Sequence, residues 1–256
     1  MKSIRVNPEF NPRERAHAGA PETQGGLLIL DKPPGWTSHD VVNKVRNVLG
    51  GIKVGHTGTL DPMATGVLVL LAGKATKAAP LFAHATKRYS AEITFGTSTD
   101  TLDATGTVTA TGDPSRVDGD RLRSSIESLK GESEQVPPLY SAVKVRGKKL
   151  YQYARAGREV ERKPRKIHIT RIDASLERFP QVILDIECSA GTYVRELASR
   201  LGEMNGCPAH LSALRRTAVG CFGIERAITI GEFARAVERG ELGTILSPVP
   251  SSEIQE

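Results

Sequence analysis

The stretch GHTGTLDPMATGVLVLL, Gly55 to Leu71, sets a glycine-bearing loop with a single acid directly ahead of an unbroken aliphatic run. Val67, Leu68, Val69, Leu70 and Leu71 form a short run rich in β-branched side chains, the pattern of a strand buried on both faces rather than of a surface helix. A core strand therefore follows the acid closely. Ahead of it, Gly55 and Gly58 allow backbone conformations closed to other residues, and Asp61 is held in extended geometry by Pro62. Asp61 fits two readings on these residues alone. It closes a turn, since Asp-Pro is ordinary turn chemistry, or it is a functional acid carried by a loop on a rigid scaffold.

Outward from this stretch, Gly26 to Asp31 (GLLILD) reads as a second buried strand and Lys32 to Gly35 (KPPG) as its turn. Ser38 is placed to cap a helix with Val41, Val42, Val45, Val48 and Leu49 on one face and Gly50 as its stop. Lys74 to Thr86 suits a short helix, Arg88 to Gly96 and Thr107 to Thr111 strands, and Asp118 to Lys130 an amphipathic helix. Ile167 to Leu176 and Gln181 to Cys188 read as antiparallel partners joined near Pro180. Gly191 introduces a helix with Tyr193 and Arg195 in its first turn, Leu211 to Arg216 and Val219 to Ile224 complete the packed region, and Ile230 to Arg239 is a last helix. Strands outnumber helices and do not alternate strictly with them. The expected class is α+β, with a mixed, largely antiparallel central sheet and flanking helices. Residues 1–24 and the residues after the last helix, 246–256, are expected to be tails around one domain spanning 25–245.

The chain has 256 residues, a net charge of +6 and a pI near 9.3. Cys188, Cys207 and Cys221 are odd in number and form no CxxC pair, which predicts free thiols in a reducing compartment. Cys207 and His210 make one CxxH without a second ligand pair, so no metal is expected. The N-terminal segment has no signal-type apolar core, and no aliphatic run approaches the roughly 20 residues of a membrane span. A soluble, cytoplasmic protein is expected.

The basicity is local. Residues 135–166 hold ten Lys or Arg against Glu159 and Glu161, a net +8 that leaves −2 for the remaining residues (+6 less +8). Tyr140, Tyr151 and Tyr153 lie in the same window. Cations neutralise phosphates and aromatic rings stack on bases, so an RNA-contacting surface and a solvated basic face both fit this window.

Six segments, GLLILDKPPGWTSHDVV, GHTGTLDPMATGVL, TKRYSAEITFGTSTDTLDATG, VPPLYSAVKVRGKKLYQYARAG, CSAGTYVRELA and AHLSALRRTAVG, occur in the order of the TruB family of tRNA pseudouridine synthases, which the chain resembles from about Gly25 to Ile230. The resemblance implies the pseudouridine synthase fold and an isomerase that detaches a uracil from its ribose at N1, rotates it and rejoins it through C5, with no cofactor. It implies Asp61 as the catalytic nucleophile, attacking either C6 of the ring or C1′ of the sugar, and Arg195 as the cation paired with it. Tyr89 is then the residue stacked on the target uracil near the C5 proton, Tyr193 a contact to the same nucleotide, and His56 the filler of the space left by a flipped base. Leu214 lines the uracil pocket and Lys32 has a structural part near the site.

The segment from about 136 to 163 matches the family's thumb insertion, with Lys144, Arg146, Lys148, Lys149 and Tyr151 as RNA contacts. Its presence implies an enzyme that finds the T-stem and loop of tRNA unaided, as a monomer with no obligatory protein partner. Bacterial members usually continue into an RNA-binding PUA domain, for which 246–256 leaves no room. Two further readings differ in kind: a subunit of a guide-RNA-dependent synthase, and a non-catalytic RNA-binding or RNA-folding protein that uses the basic window alone.

Overall fold

The computed structural model describes residues 25–250, so the expected N-terminal tail and residues 251–256 lie outside the described residues. Chain order is β1 (Gly25–Lys32), α1 (Ser38–Val48), β2 (Val54–His56), β3 (Thr65–Gly73), a 3-10 segment (Lys74–Phe82), β4 (Lys87–Phe95), β5 (Thr97–Thr99), β6 (Val108–Thr111), α2 (Gly119–Glu127), β7 (Gly131–Gln135), β8 (Lys144–Val145), β9 (Lys148–Lys149), α3 (Leu150–Arg155), β10 (Arg165–Ser175) and β11 (Gln181–Cys188). It continues through α4 (Val194–Met204), β12 (Ala209–Val219), β13 (Phe222–Gly223), β14 (Ile228–Thr229), α5 (Ile230–Glu238) and α6 (Leu242–Ile245). The main sheet runs β14-β1-β3-β12-β4-β11-β10-β7, with β2 added to β3 and β13 to β12. Only β1–β14 and β3–β12 pair in parallel, so the sheet is mixed and largely antiparallel, as expected.

The aliphatic run lies at the centre of that sheet. Val67, Leu68, Val69 and Leu70 have no exposed surface, and their period of two sends them into different cores. Val67, Val69 and Leu71 pack with Leu27, Ile29, Phe82 and Phe222. Leu68, Leu70 and Ala72 pack with Leu28, Leu30, Val41, Val45 and Phe233, which brings α1 and α5 onto that face. A third core joins β4, β10, β11 and β12 to α2 and α4.

Three local expectations change. Thr37 caps α1, not Ser38, because Thr37 and Asp40 close a reciprocal capping box that leaves Ser38 as the first helical residue. The stretch after β3 is a 3-10 helix ending at Phe82, with Pro80 inside it depriving the helix of one N–H donor. Ser247, placed in a loose tail, exchanges both backbone hydrogen bonds with Leu27 at 2.8 and 2.9 Å.

The basic window lies between β7 and β10. It projects the two-residue hairpin β8–β9, whose turn residues Arg146 and Gly147 have φ of 49° and 80°, followed by α3. Two positive φ values in a two-residue turn match the right-handed twist of the flanking strands. Among the described residues no helix is long and apolar enough to cross a membrane.

Candidate active site

The loop carrying Asp61 has all five backbone carbonyls from Gly58 to Pro62, and the Leu60 N–H, tied down. The Ser38 hydroxyl, buried at the start of α1, donates to Leu60 O at 3.2 Å and accepts from Leu60 N at 2.8 Å. Pro62 O accepts from Lys32 Nζ at 3.2 Å and from Gly35 N at 2.8 Å, and Asp61 O accepts from Ala64 N at 3.1 Å. Arg216 Nη2 and Nη1 donate to Gly58 O at 3.1 Å and Thr59 O at 3.3 Å. A loop with its polar groups satisfied in this way presents its acid from a fixed position.

Arg195, in the first turn of α4, is the partner of that acid. Its Nη2 donates to Asp61 Oδ1 at 3.3 Å, while Nε stands 2.9 Å from Oδ2 at an angle unsuited to a hydrogen bond, so this second contact is coulombic. The guanidinium also donates to Thr101 O and to Tyr140 O, both at 2.9 Å, and lies 3.7 Å from Asp103 Oδ2. Asp103 is itself held by the Thr101 and Thr105 hydroxyls and the Thr105 N–H. The Arg195 side chain is only 4% exposed, whereas Asp61 keeps 33% of its side-chain surface open. The carboxylate thus offers a reachable oxygen above a buried cation.

Burial pushes the Asp61 carboxyl above the ordinary carboxylate range; Arg195 opposes that push and Asp103 adds to it. The Arg195 cation in contact and the open face of the carboxylate both favour its ionised form against that burial. Lys32 is fully buried, and its ammonium donates to Pro33 O, Trp36 O and Pro62 O at 2.8, 2.7 and 3.2 Å. Burial lowers its pKa to about 8, with the Asp61 charge resisting. Lys32 is a clamp between the KPPG turn and the acid loop.

Tyr89 and Tyr193 are half-buried and near enough to Asp61 to feel its charge, and burial raises both phenols. The backbone of Tyr193 is gripped by Gln135, whose Oε1 accepts from Tyr193 N at 2.7 Å and whose Nε2 donates to Tyr193 O at 2.9 Å. Leu214 pairs with Ala91 across the β12–β4 ladder and packs in one cluster with Leu60 and Ala64. His56 ends β2; its Nδ1 is buried without a partner among the described residues, and burial lowers its pKa, so the ring is neutral at pH 7. Lys144, Arg146, Lys148 and Lys149 are exposed on the hairpin, outside this cluster, though Lys149 is near enough to depress His56 further. Tyr151 lies under two cations, Lys149 Nζ at 5.7 Å and Arg155 Cζ at 5.5 Å from its ring centre.

Residues 46–194 match the TruB family pseudouridylate synthase N-terminal domain, and residues 195–252 match the tRNA pseudouridylate synthase B C-terminal domain. The chain belongs to the TruB family of pseudouridylate synthases. As a TruB enzyme it is an isomerase. It is 48% identical over 234 residues to tRNA pseudouridine synthase B of Geobacillus thermodenitrificans, covering 88% of this chain and 76% of that one. It is 48% identical over 223 residues to the protein of the same name from Listeria welshimeri, covering 85% and 73%.

Among solved structures it is similar to one described as a Cbf5-Nop10-Gar1 complex, at 30% identity and a TM-score of 0.69, over 95% of this chain and 66% of that one. An H/ACA RNP bound to a substrate RNA containing 2′-deoxyuridine gives 28% identity and a TM-score of 0.64, over 95% and 65%. In both cases this chain spans just under two thirds of the other's length. The seam between the two TruB matches falls in the first turn of α4, and β11 and β12 on either side of it belong to one sheet.

Four residues that brace this TruB site are not marked as site residues by the sequence: Ser38, which reads there as a helix cap, Asp103, Gln135 and Arg216. Arg216 had a readable signal. It occupies the inward face of β12 between buried Leu214 and Ala218, where an alternating strand calls for an apolar side chain.

Proposed function

We propose that this protein is a stand-alone tRNA pseudouridine synthase that converts the uridine at position 55, in the TΨC loop, to pseudouridine. The observation that carries the reading is the Asp61 carboxylate, pinned on a braced loop, contacted by buried Arg195 and open on one side. The relatives named tRNA pseudouridine synthase B support tRNA as the substrate.

In this reading the uridine is extruded from the loop, because a stacked base cannot reach a carboxylate set in a cleft, and the neutral ring of His56 fills the space it leaves. Asp61 attacks either C6 or C1′, the N1–C1′ bond breaks, the uracil turns, and C5 bonds to C1′; the bond to Asp61 breaks in that same step if it was to C1′, or by elimination afterwards if it was to C6, which frees the carboxylate. C5 then gives up its proton and N1 gains one, so the product is an isomer. Tyr89 stacks on the uracil beside the departing C5 proton, Tyr193 contacts the same nucleotide, Leu214 lines the pocket, and Lys32 fixes the loop. Arg195 keeps the nucleophile ionised. The thumb, with Lys144, Arg146, Lys148, Lys149 and Tyr151, contacts the T-stem, and the enzyme acts as a monomer.

Purified protein incubated with an unmodified tRNA transcript is expected to form Ψ at one uridine of the TΨC loop without added guide RNA. Absence of Ψ there refutes the reading. Asp61→Asn is expected to keep tRNA binding and abolish Ψ; a variant that still forms Ψ removes the aspartate from the mechanism.

A further inference from the structure

We propose that Arg216 is a positioning residue for the reaction: its guanidinium clasps both ends of the Asp61 loop and holds a positive charge against the Tyr89 phenol. The inference rests on the proposed uridine isomerisation and names a residue that this reading does not otherwise use.

Arg216 is 2% exposed and, among the described residues, contacts no carboxylate. A buried guanidinium without a counter-ion is costly, so each of its donors has to meet an acceptor. Nε donates to Val67 O at 2.7 Å, where the loop has become β3. Nη1 and Nη2 donate to Thr59 O and Gly58 O, where the loop begins. One planar fork therefore spans the mouth of the loop, and Asp61 lies between its anchor points.

The backbone on both sides is committed to this arrangement. Arg216 pairs with Gly66 of β3, where φ is 100° and a Cβ would come 2.2 Å from Arg216 O, so only glycine lets β12 approach. On its other side Arg216 pairs with Tyr89 of β4, and the Tyr89 phenol lies against the guanidinium. Burial alone disfavours the phenolate of Tyr89; the adjacent cation favours it. Arg216 thus couples the position of the nucleophile to the acidity of the group placed beside the C5 proton. A lysine keeps the charge but carries it on a single nitrogen, which cannot span carbonyls at both ends of the loop as the three nitrogens of the guanidinium do.

The test uses the full chain with Arg216→Lys and Arg216→Gln. Three quantities are measured: affinity for unmodified tRNA, kcat for Ψ formation, and the midpoint of tyrosinate absorbance with Tyr89→Phe as the blank. Expected for both variants is tRNA affinity within about twofold of wild type and kcat lowered about 100-fold. The Tyr89 midpoint is expected to rise in the Gln variant, a change that a merely structural arginine would not produce. The Lys variant decides alone if the Gln variant does not fold: kcat within about threefold of wild type overturns the inference. Parallel loss of affinity and kcat, or an unmoved Tyr89 midpoint in a folded Gln variant, also overturns it. A wild-type protein that makes no Ψ would instead bring down the reading of function, and the tyrosinate titration remains readable in that event.

Discussion

Replacing Ser38 with alanine removes one oxygen from the helix that precedes the acid loop. The hydroxyl is 2% exposed and satisfies both backbone groups of Leu60, donating to its carbonyl at 3.2 Å and accepting from its N–H at 2.8 Å. Alanine leaves both groups buried and unpaired, at about 1–3 kcal/mol each, so the loss is at least about 2 kcal/mol. For a chain of this size that corresponds to a fall in Tm of about 4–8 °C, read by thermal unfolding.

The cap of α1 is untouched by this change, since Thr37 and Asp40 supply it. Thr37→Ala is therefore the control: it costs about 1 kcal/mol as a lost cap but leaves Leu60 paired. Because Leu60 directly precedes Asp61, Ser38→Ala is also expected to lower single-turnover Ψ formation by about 10- to 100-fold, the scale of a nucleophile displaced by up to an ångström. Thr37→Ala should keep the wild-type rate. Equal rates in the two variants, or a Ser38→Ala protein with unchanged Tm, would refute the claim that this hydroxyl positions the nucleophile.

Two other expectations concern charge. Activity that needs ionised Asp61 is lost as pH falls through its folded-state pKa, which burial raises, so the acid limb of kcat/KM should lie above the ordinary aspartate value. Arg195→Gln removes the main opposing influence and should move that limb higher; a limb that stays put would separate Asp61 ionisation from the rate. Lys148→Ala with Lys149→Ala, both exposed on the thumb hairpin, should weaken tRNA binding and reduce the slope of log affinity against log salt by about 1–2. An unchanged slope would remove the hairpin from the RNA interface.

The central strand was legible because its signal is local: Val67 to Leu71 alternate into two cores, and only a strand covered on both faces tolerates that run. The helix start was half legible. Both Thr37 and Ser38 are capping residues, and the acid three positions after Thr37 decides between them by the reciprocal bond it can return. Strand β7 escaped notice since GESEQ has no apolar alternation; it is an edge strand whose Glu132 and Glu134 are exposed.

The Asp61–Arg195 pairing came through the family motifs and not through spacing, because its two members lie 134 positions apart. What Gln135 and Arg216 bind was illegible for a related reason, although Arg216 stood out by its inward place on β12. Their partners are backbone atoms 58 and about 150 positions away, and a carbonyl leaves no mark in the sequence.

The ladder of β7 and β10 begins at Gln135 and Arg165, so the whole thumb is the loop of one very long hairpin at the margin of the sheet. Changing the length of such an arm alters its reach without shifting any rung of the central sheet. One tether between the arm and the Asp61 site is Tyr140 O, which receives a hydrogen bond from Arg195. On the proposed function, shortening the arm is expected to weaken substrate grip before turnover, with Tyr140 as the boundary beyond which trimming begins to disturb the centre.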